Sequence, residues 1–300
     1  MHVPVLLHEV LAYLAPHPGG RYVDATIDGG GHTRAVLDAS APDGTVLGID
    51  RDPEILTALR GGLAEAIDAG RLRIAHASFA ALTRVLAAQG VTSADGVLLD
   101  LGVSSFHLDA SGRGFSFARD EPLDMRFDPT DPERESAADI LASRSAEALT
   151  ALFRTYGEER FASRIARTIV ARRRQAPLRT TGELLAAVEQ SLPPHLRWRA
   201  GRDAARVFQA LRIAANEELE AIADVLPQAL AALAPGGRLV VISFHSLEDR
   251  LVKHFLRGQA QAGRVRLLTR RPVQPSESEV AANPRAASAK LRAAEKLTPQ

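Results

Sequence analysis

Apolar and polar positions along this chain follow two rhythms. Short, dense apolar runs bounded by Gly, Pro and Asp read as strands at 21–26 (RYVDAT), 45–50 (TVLGID), 72–77 and 96–101 (GVLLDL). Between them, apolar residues recur three and four positions apart and read as helices at 31–39, 53–68 (with Pro53 in the first turn) and 80–89. The run GVLLDL is apolar almost throughout, as expected of a strand covered on both faces. Four strands alternating with helices predict a parallel, doubly wound α/β sheet.

The alternation stops after Gly102. Residues 103–130 are rich in Ser, Gly, Asp and Pro and read as loop. Helical patterns follow at 137–141, 146–156, 161–174, 181–191 and 204–233. The strand pattern resumes at 237–244 (GRLVVISF) behind the turn Pro235-Gly236-Gly237, with a helix at 247–256. Residues 265–269 and 290–294 are further strand candidates, and 272–289 reads as a connecting loop. The chain therefore predicts a discontinuous α/β domain, 1–107 and 207–300, carrying an inserted all-helical domain at 108–206.

Composition narrows the chemistry. The 300 residues contain no Cys, which excludes a disulfide framework, a thiolate metal site, a Cys nucleophile and an iron–sulfur cluster. His2 with His8, or His245 with His254, lack metal-ligand spacing, so no metal site is expected. The longest apolar runs fall far short of the roughly 20 residues that span a bilayer. Met1-His2-Val3-Pro4 lacks the basic start of a signal peptide, so a cytoplasmic protein without membrane contact is expected. The formal net charge is +1, but it is unevenly spread. Residues 154–212 hold 13 Arg against 5 acids, and 250–296 hold 11 Lys/Arg against 3 Glu. Such blocks are either a solvated face or a phosphate-binding one.

In an open parallel sheet, ligands bind beyond the carboxyl ends of the strands. Four segments fall there. Asp24-Ala25-Thr26-Ile27-Asp28-Gly29-Gly30-Gly31-His32-Thr33 joins a strand to a helix, where Gly permits close backbone approach and N–H groups can hold an anion; it reads equally as an ordinary tight turn. Asp50 closes the second strand 20 residues after Gly30, the place of an acid that binds ribose hydroxyls; alternatively Asp50 is simply exposed while Asp52 caps the next helix. Asp100, ahead of Leu101-Gly102-Val103-Ser104-Ser105, either points at a ligand or braces the loop. In Ser243-Phe244-His245-Ser246-Leu247-Glu248-Asp249-Arg250 a Ser-His-Asp triad is rejected for want of a G-x-S-x-G elbow. Ser246 with Asp249 reads as a capping box, leaving His245 as a ligand contact or a brace. Phe79 follows the third strand, where it stacks on a base or joins the core.

Taken in order, ten segments resemble one family. They are VPVLLHEV (3–10), YVDAT…GGGHT (22–33), GIDRDP (48–53), LLDLGVSS (98–105), RGFSF (113–117), PLDMR (122–126), YGEERFASRIARTIV (156–170), FQALRIAANEELE (208–220), PGGRLVVISFHSLEDRLVKHF (235–255) and NPRAASAKLR (283–292). The family is the bacterial 16S rRNA N4-cytosine methyltransferases, RsmH or MraW, and the resemblance runs from residue 2 to about 296. It implies a class I S-adenosyl-L-methionine-dependent methyltransferase fold (Rossmann-like) with a helical insert that engages substrate. The implied product is N4-methylcytidine in the decoding (P-site) region of 16S rRNA, within the small ribosomal subunit or a late assembly intermediate.

The resemblance places cofactor contacts at Gly30, Gly31, His32, Asp50, Phe79, Asp100 and His107. Asp100, Ser104, Ser105 and His245 are the expected groups around the reacting amine, and Arg164, Arg167, Arg172, Arg173 and Arg174 the expected RNA contacts, together with the basic C-terminal part. Departures from the family pattern are Asp28 and Glu121 for usual Gly, His107 for Gln and Phe127 for Met. A cysteine-containing stretch after the HSLEDR helix is missing. Asp28 keeps a catalytically idle ribosome-assembly factor as the alternative. A nicotinamide-dependent oxidoreductase would also suit the Gly loop with Asp50, but not the later motifs.

Overall fold

In the computed structural model, which describes residues 4–298, the alternating pattern becomes alternating elements. Along the chain they are α1 (Leu7–Leu14), β1 (Arg21–Asp24), α2 (Gly31–Ala39), β2 (Thr45–Asp50), α3 (Pro53–Gly62), α4 (Ala64–Asp68), β3 (Leu72–His76), α5 (Leu82–Ala88) and β4 (Ala94–Asp100). A helical stretch follows: α6 (Ser105–Asp109), α7 (Ala137–Ser143), α8 (Ala146–Thr155), α9 (Ala162–Arg173), α10 (Thr181–Ser191) and α11 (Ala200–Asn216). Then come α12 (Glu218–Ala232), β5 (Leu233–Ser243), α13 (Ser246–Gln261), β6 (Val265–Leu267), α14 (Glu277–Ala282) and β7 (Lys290–Lys296). Met1–Val3, on which the N-terminal reading and the mention of His2 rest, lie outside the described residues.

The chain divides into two compact units, 1–102 with 219–300, and 103–218. In the first, seven strands form one sheet in the order β3-β2-β1-β4-β5-β7-β6. The first five strands are parallel, and β7 runs antiparallel between β5 and β6. Successive side chains of a strand face opposite ways, so β4 serves two cores at once. Val97 and Leu99 pack with Leu47, Ile49, Val241, Val225 and Val252, whereas Leu98 packs with Tyr22, Val46, Val240, Val36 and Leu56. Coverage on both faces explains the unbroken apolar run.

The second unit is all-helical, built around Phe153, Ile165, Ile169, Leu184, Val188 and Leu211. It spans 103–218 rather than the expected 108–206, because α11 continues unbroken to Asn216 and buries Val207, Phe208 and Leu211 in that core. The expected helix over 204–233 is two helices, broken at Glu217, whose φ of 49° is left-handed. The expected helix over 53–68 likewise breaks at Leu63, behind Gly61-Gly62. Two expected loops hold helices: α6 within 103–130, and within 272–289 both α14, capped by Ser276, and a 3₁₀ turn at Pro284–Ser288. The sequence reading made no element of α1, whose Val10 and Leu14 are buried. No described helix is long and apolar enough to cross a membrane.

Candidate active site

The site forms in the first unit where β1, β2 and β4 end. Asp24 closes β1 and is buried. Its Oδ2 accepts from the Thr33 hydroxyl at 2.7 Å and its Oδ1 from the Thr26 N–H at 3.3 Å. Thr33 lies on the first turn of α2, so this pair fastens the helix start to the strand end. Burial raises the Asp24 pKa against the Thr33 hydrogen bond and the His32 charge. Between them, Asp28 and Gly30 both have positive φ, 43° and 73°. A side chain at Gly30 would be strained by that φ and would have to displace Leu59, whose Cδ1 lies 2.5 Å from the Cβ position. Asp tolerates the left-handed region better than most residues, which accounts for Asp28 where Gly was expected.

Asp50 closes β2. Its Oδ1 accepts from the Asp52 N–H at 2.9 Å and its Oδ2 from the Asp28 N–H at 3.1 Å. Each oxygen keeps a second lone pair for a ligand donor. Burial drives its pKa up to about 7 against those two N–H bonds, with the charges of Asp28 and Asp52 adding to the rise. Asp52 meanwhile caps α3, accepting from the Glu54 and Ile55 N–H groups. The two alternatives for this segment thus coexist: Asp52 caps and Asp50 stays available.

Asp100 closes β4, its N–H donating to Thr26 Oγ1 at 2.6 Å. His32 is buried, with Nε2 3.4 Å from Asp100 Oδ2, an ion-pair distance. Burial lowers the His32 pKa, but Asp100, Asp24 and Asp28 outweigh it and leave it above the usual histidine value. Neither ring nitrogen of His32 nor Oδ1 of Asp100 has a hydrogen-bond partner among the described residues. Buried polar atoms are ordinarily satisfied, so these orphans mark where a ligand group belongs. Three carboxylates around one histidine, Asp100, Asp24 and Asp28, favour a ligand bearing positive charge. The N-terminal N–H groups of α2 suit an anion, and Asp50 suits a diol. A sulfonium nucleoside with an amino-acid tail fits this donor set.

The remaining expected residues lie as follows. Phe79 opens a 3₁₀ turn and packs, half-buried, on the first core. Gly31 has its open side against Pro4. His245 caps α13: its Nδ1 accepts from the Glu248 N–H at 3.4 Å, while buried Glu248 accepts from the Phe244 and His245 N–H groups. The capping box is therefore His245 with Glu248, not Ser246 with Asp249. Ser243 donates to Lys290 O and Asp249 pairs with Arg292, so neither is turned toward His245 as the rejected triad would need.

In the helical unit, Ser104 and His107 form a capping box at α6, and His107 is buried among Phe106, Phe115 and Phe127. Ser105 begins the helix, partly exposed. Along α9 and its C-terminal cap, Arg164, Arg167 and Arg174 share one exposed face, and Arg172 is half-buried. Arg173 points the other way and donates to the Leu141 and Arg144 carbonyls at 2.5 and 2.6 Å. Sequence reasoning assigned no role to Asp24, Thr26 or Thr33. The signal was their placement at one strand end and helix start.

Comparison with known proteins adds a family. The profile described as the MraW methylase family matches residues 1–297. Ribosomal RNA small subunit methyltransferase H of Thermomicrobium roseum is 52% identical, the alignment covering 99% of this chain and 94% of that one. The protein of the same name from Syntrophotalea carbinolica is 48% identical over 99% and 98%. Among solved structures, an rRNA methylase from Streptococcus thermophilus superimposes with a TM-score of 0.47 at 12% identity, covering 99% of this chain and 100% of that one.

Proposed function

The chain belongs to the MraW methylase family, and from that premise we propose that it is a small-subunit rRNA methyltransferase that methylates the exocyclic N4 of a cytidine in the decoding region of 16S rRNA. The observation that carries this reading is full-length identity of 45–52% to proteins named ribosomal RNA small subunit methyltransferase H. The acid-lined end of the sheet supports S-adenosyl-L-methionine as donor. When bound there, it supplies a methyl group on a sulfonium leaving group.

The chain's own groups divide the work. The first turn of α2, around Gly30, Gly31 and His32, holds the carboxylate of the donor's amino-acid tail. Asp50 accepts from the ribose hydroxyls, and Phe79 borders the base. Asp24 and Thr33 keep the helix start in register with β1. The cytosine amine is a poor nucleophile because its lone pair is delocalised into the ring, so orientation and exclusion of water must supply much of the rate. The target base must leave its stack to reach the strand ends. Asp100 Oδ1, without a hydrogen-bond partner among the described residues, accepts from the amine and draws its proton away as the N–C bond forms. His32 steadies the Asp100 charge. His245 offers the second candidate contact to the amine, and Ser104 and Ser105 follow Asp100 by four and five residues as further hydrogen-bond partners. The exposed Arg164, Arg167 and Arg174 would meet phosphates and position the RNA without reading its sequence.

The test is transfer of labelled methyl to small subunits purified from cells lacking this protein, with the modified nucleoside mapped. N4-methylcytidine at one site supports enzyme, donor and target together. Binding without transfer would leave an assembly factor instead.

A further inference from the structure

At the β6 edge of the sheet lies a pocket of about 370 Å³ whose wall includes Lys253, Arg257, Thr269, Arg270, Arg271 and Arg292. Two of these are buried, Arg292 on β7 and Thr269 just after β6. Arg292 is clamped from behind: its Nε and one Nη donate to Asp249 at 2.6 and 3.2 Å. Its other Nη has no partner among the described residues. Thr269 is pinned in the same way. Its hydroxyl oxygen accepts from the Ala293 N–H at 3.0 Å, which leaves the hydroxyl proton without an acceptor in the described chain. Around this floor stand Lys253, Arg257, Arg270 and Arg271, none of them paired with a carboxylate among the described residues.

Five cations thus face one carboxylate, Asp249, already engaged by Arg292 and 3.9 Å from Lys290. Like charges held together destabilise a fold unless something anionic joins them. A guanidinium with a free edge beside a hydroxyl donor is the pairing that phosphate oxygens take. The pocket is separate from the acid-lined site. The edge strand stands three strand spacings from β4, about 14 Å at the usual inter-strand distance. Val273, paired with Leu291, brings the pocket's wall toward the level where β5 ends.

We propose that this pocket is a phosphate-binding subsite that grips the RNA backbone beside the target nucleotide, with Arg292 and Thr269 as its buried floor and Arg270 and Arg271 as its exposed rim. The assignment rests on RNA being the substrate. It places a phosphate contact on the sheet-bearing unit itself, in addition to the arginines of the helical insert.

The test uses the full chain and a labelled single-stranded fragment of the decoding region, with binding read by fluorescence anisotropy between 50 and 200 mM KCl. For Arg270→Ala with Arg271→Ala, the slope of log affinity against log salt should fall by about 1.4, or about 0.7 per single-strand phosphate contact. Thr269→Val, which removes a neutral donor, should weaken RNA binding several-fold with the slope unchanged. S-adenosylhomocysteine affinity should not move in either. RNA curves that superimpose on wild type in both variants would overturn the proposal. So would saturable binding of ATP that is lost in the double variant while the RNA slope stays intact, because the pocket would then serve a free nucleotide. Wild-type methyl transfer run alongside separates the two failures: transfer with indifferent variants sinks the pocket alone, and no transfer sinks the methyltransferase reading.

Discussion

Asp50 offers the sharpest prediction, because its two roles pull against each other. Binding of ribose hydroxyls needs the ionised carboxylate, yet burial and the neighbouring Asp28 and Asp52 hold its pKa at about 7 in the ligand-free chain. Ligand binding must therefore expel a proton wherever Asp50 is protonated. With a pKa of 7, about a tenth of the chains are ionised at pH 6 and about nine-tenths at pH 8, so S-adenosylhomocysteine affinity should rise about tenfold between them, or about 1.4 kcal/mol. Titration calorimetry at pH 6 in buffers of different ionisation enthalpy should count nearly one proton released per ligand, falling to about 0.1 at pH 8. Asp50→Asn keeps the shape and one acceptor but cannot titrate. Its affinity should be flat with pH and about 10- to 100-fold weaker than wild type at pH 8, the loss expected for a hydrogen bond to a charged group. A wild-type affinity that is flat from pH 6 to 8, or a slope that survives in Asp50→Asn, would refute the reasoning.

Three further outcomes follow from the same contacts. Asp100→Asn should lower methyl-transfer turnover at least a hundredfold while S-adenosylhomocysteine affinity stays within about threefold, and full turnover with normal affinity would remove Asp100 from the reaction. Thr33→Val deletes the hydroxyl that bonds buried Asp24 at 2.7 Å and should cost about 1–3 kcal/mol in urea unfolding of the first unit. With Asp24 already raised by burial, that cost should grow as pH rises and the carboxyl, left with the Thr26 N–H alone, is forced to ionise, and a pH-independent cost would contradict the assignment. Replacing Arg164, Arg167 and Arg174 by Glu should flatten the salt dependence of RNA binding without unfolding the insert, whereas Arg173→Ala should destabilise the insert by freeing the Leu141 and Arg144 carbonyls; identical behaviour of the two variants would show that α9 has no separate RNA face.

The parallel part of the sheet was legible because its strands carry dense apolar runs, and four of them close on Asp24, Asp50, Asp100 and Ser243. Helix interiors were equally plain, since α2 and α10 have the expected bounds. What escaped depends on tertiary partners. Nothing local announces the break at Glu217, a non-Gly residue in the left-handed region. His245 is an unusual cap, so the capping pattern was assigned one residue late to Ser246. Ser276 and Glu279 do carry a capping signature, but α14 is six residues long and follows two prolines, which hid it. Arg173 is indistinguishable from its neighbours as a letter, and only its angular position on α9 turns it toward the carbonyls of the core. The His32–Asp100 pair joins residues 68 positions apart, beyond what any local pattern conveys.

The insert between β4 and β5 also sets an order of events during synthesis. β4 and β5 are adjacent in the sheet, yet residues 103–218 separate them in the chain. Until residue 243 has left the ribosome, β4 is an unpaired sheet edge made of Val97, Leu98 and Leu99, the kind of strand that other chains pair with. The closing entropy of so long a loop grows only logarithmically with its length, and an insert that has already folded shortens the effective loop further. The helical unit, built of helices alone, is suited to fold first. Slowing its folding, as by truncating Phe153 in its core, should therefore be felt as aggregation of the sheet-bearing unit. The lesion would sit in one unit and its symptom in the other.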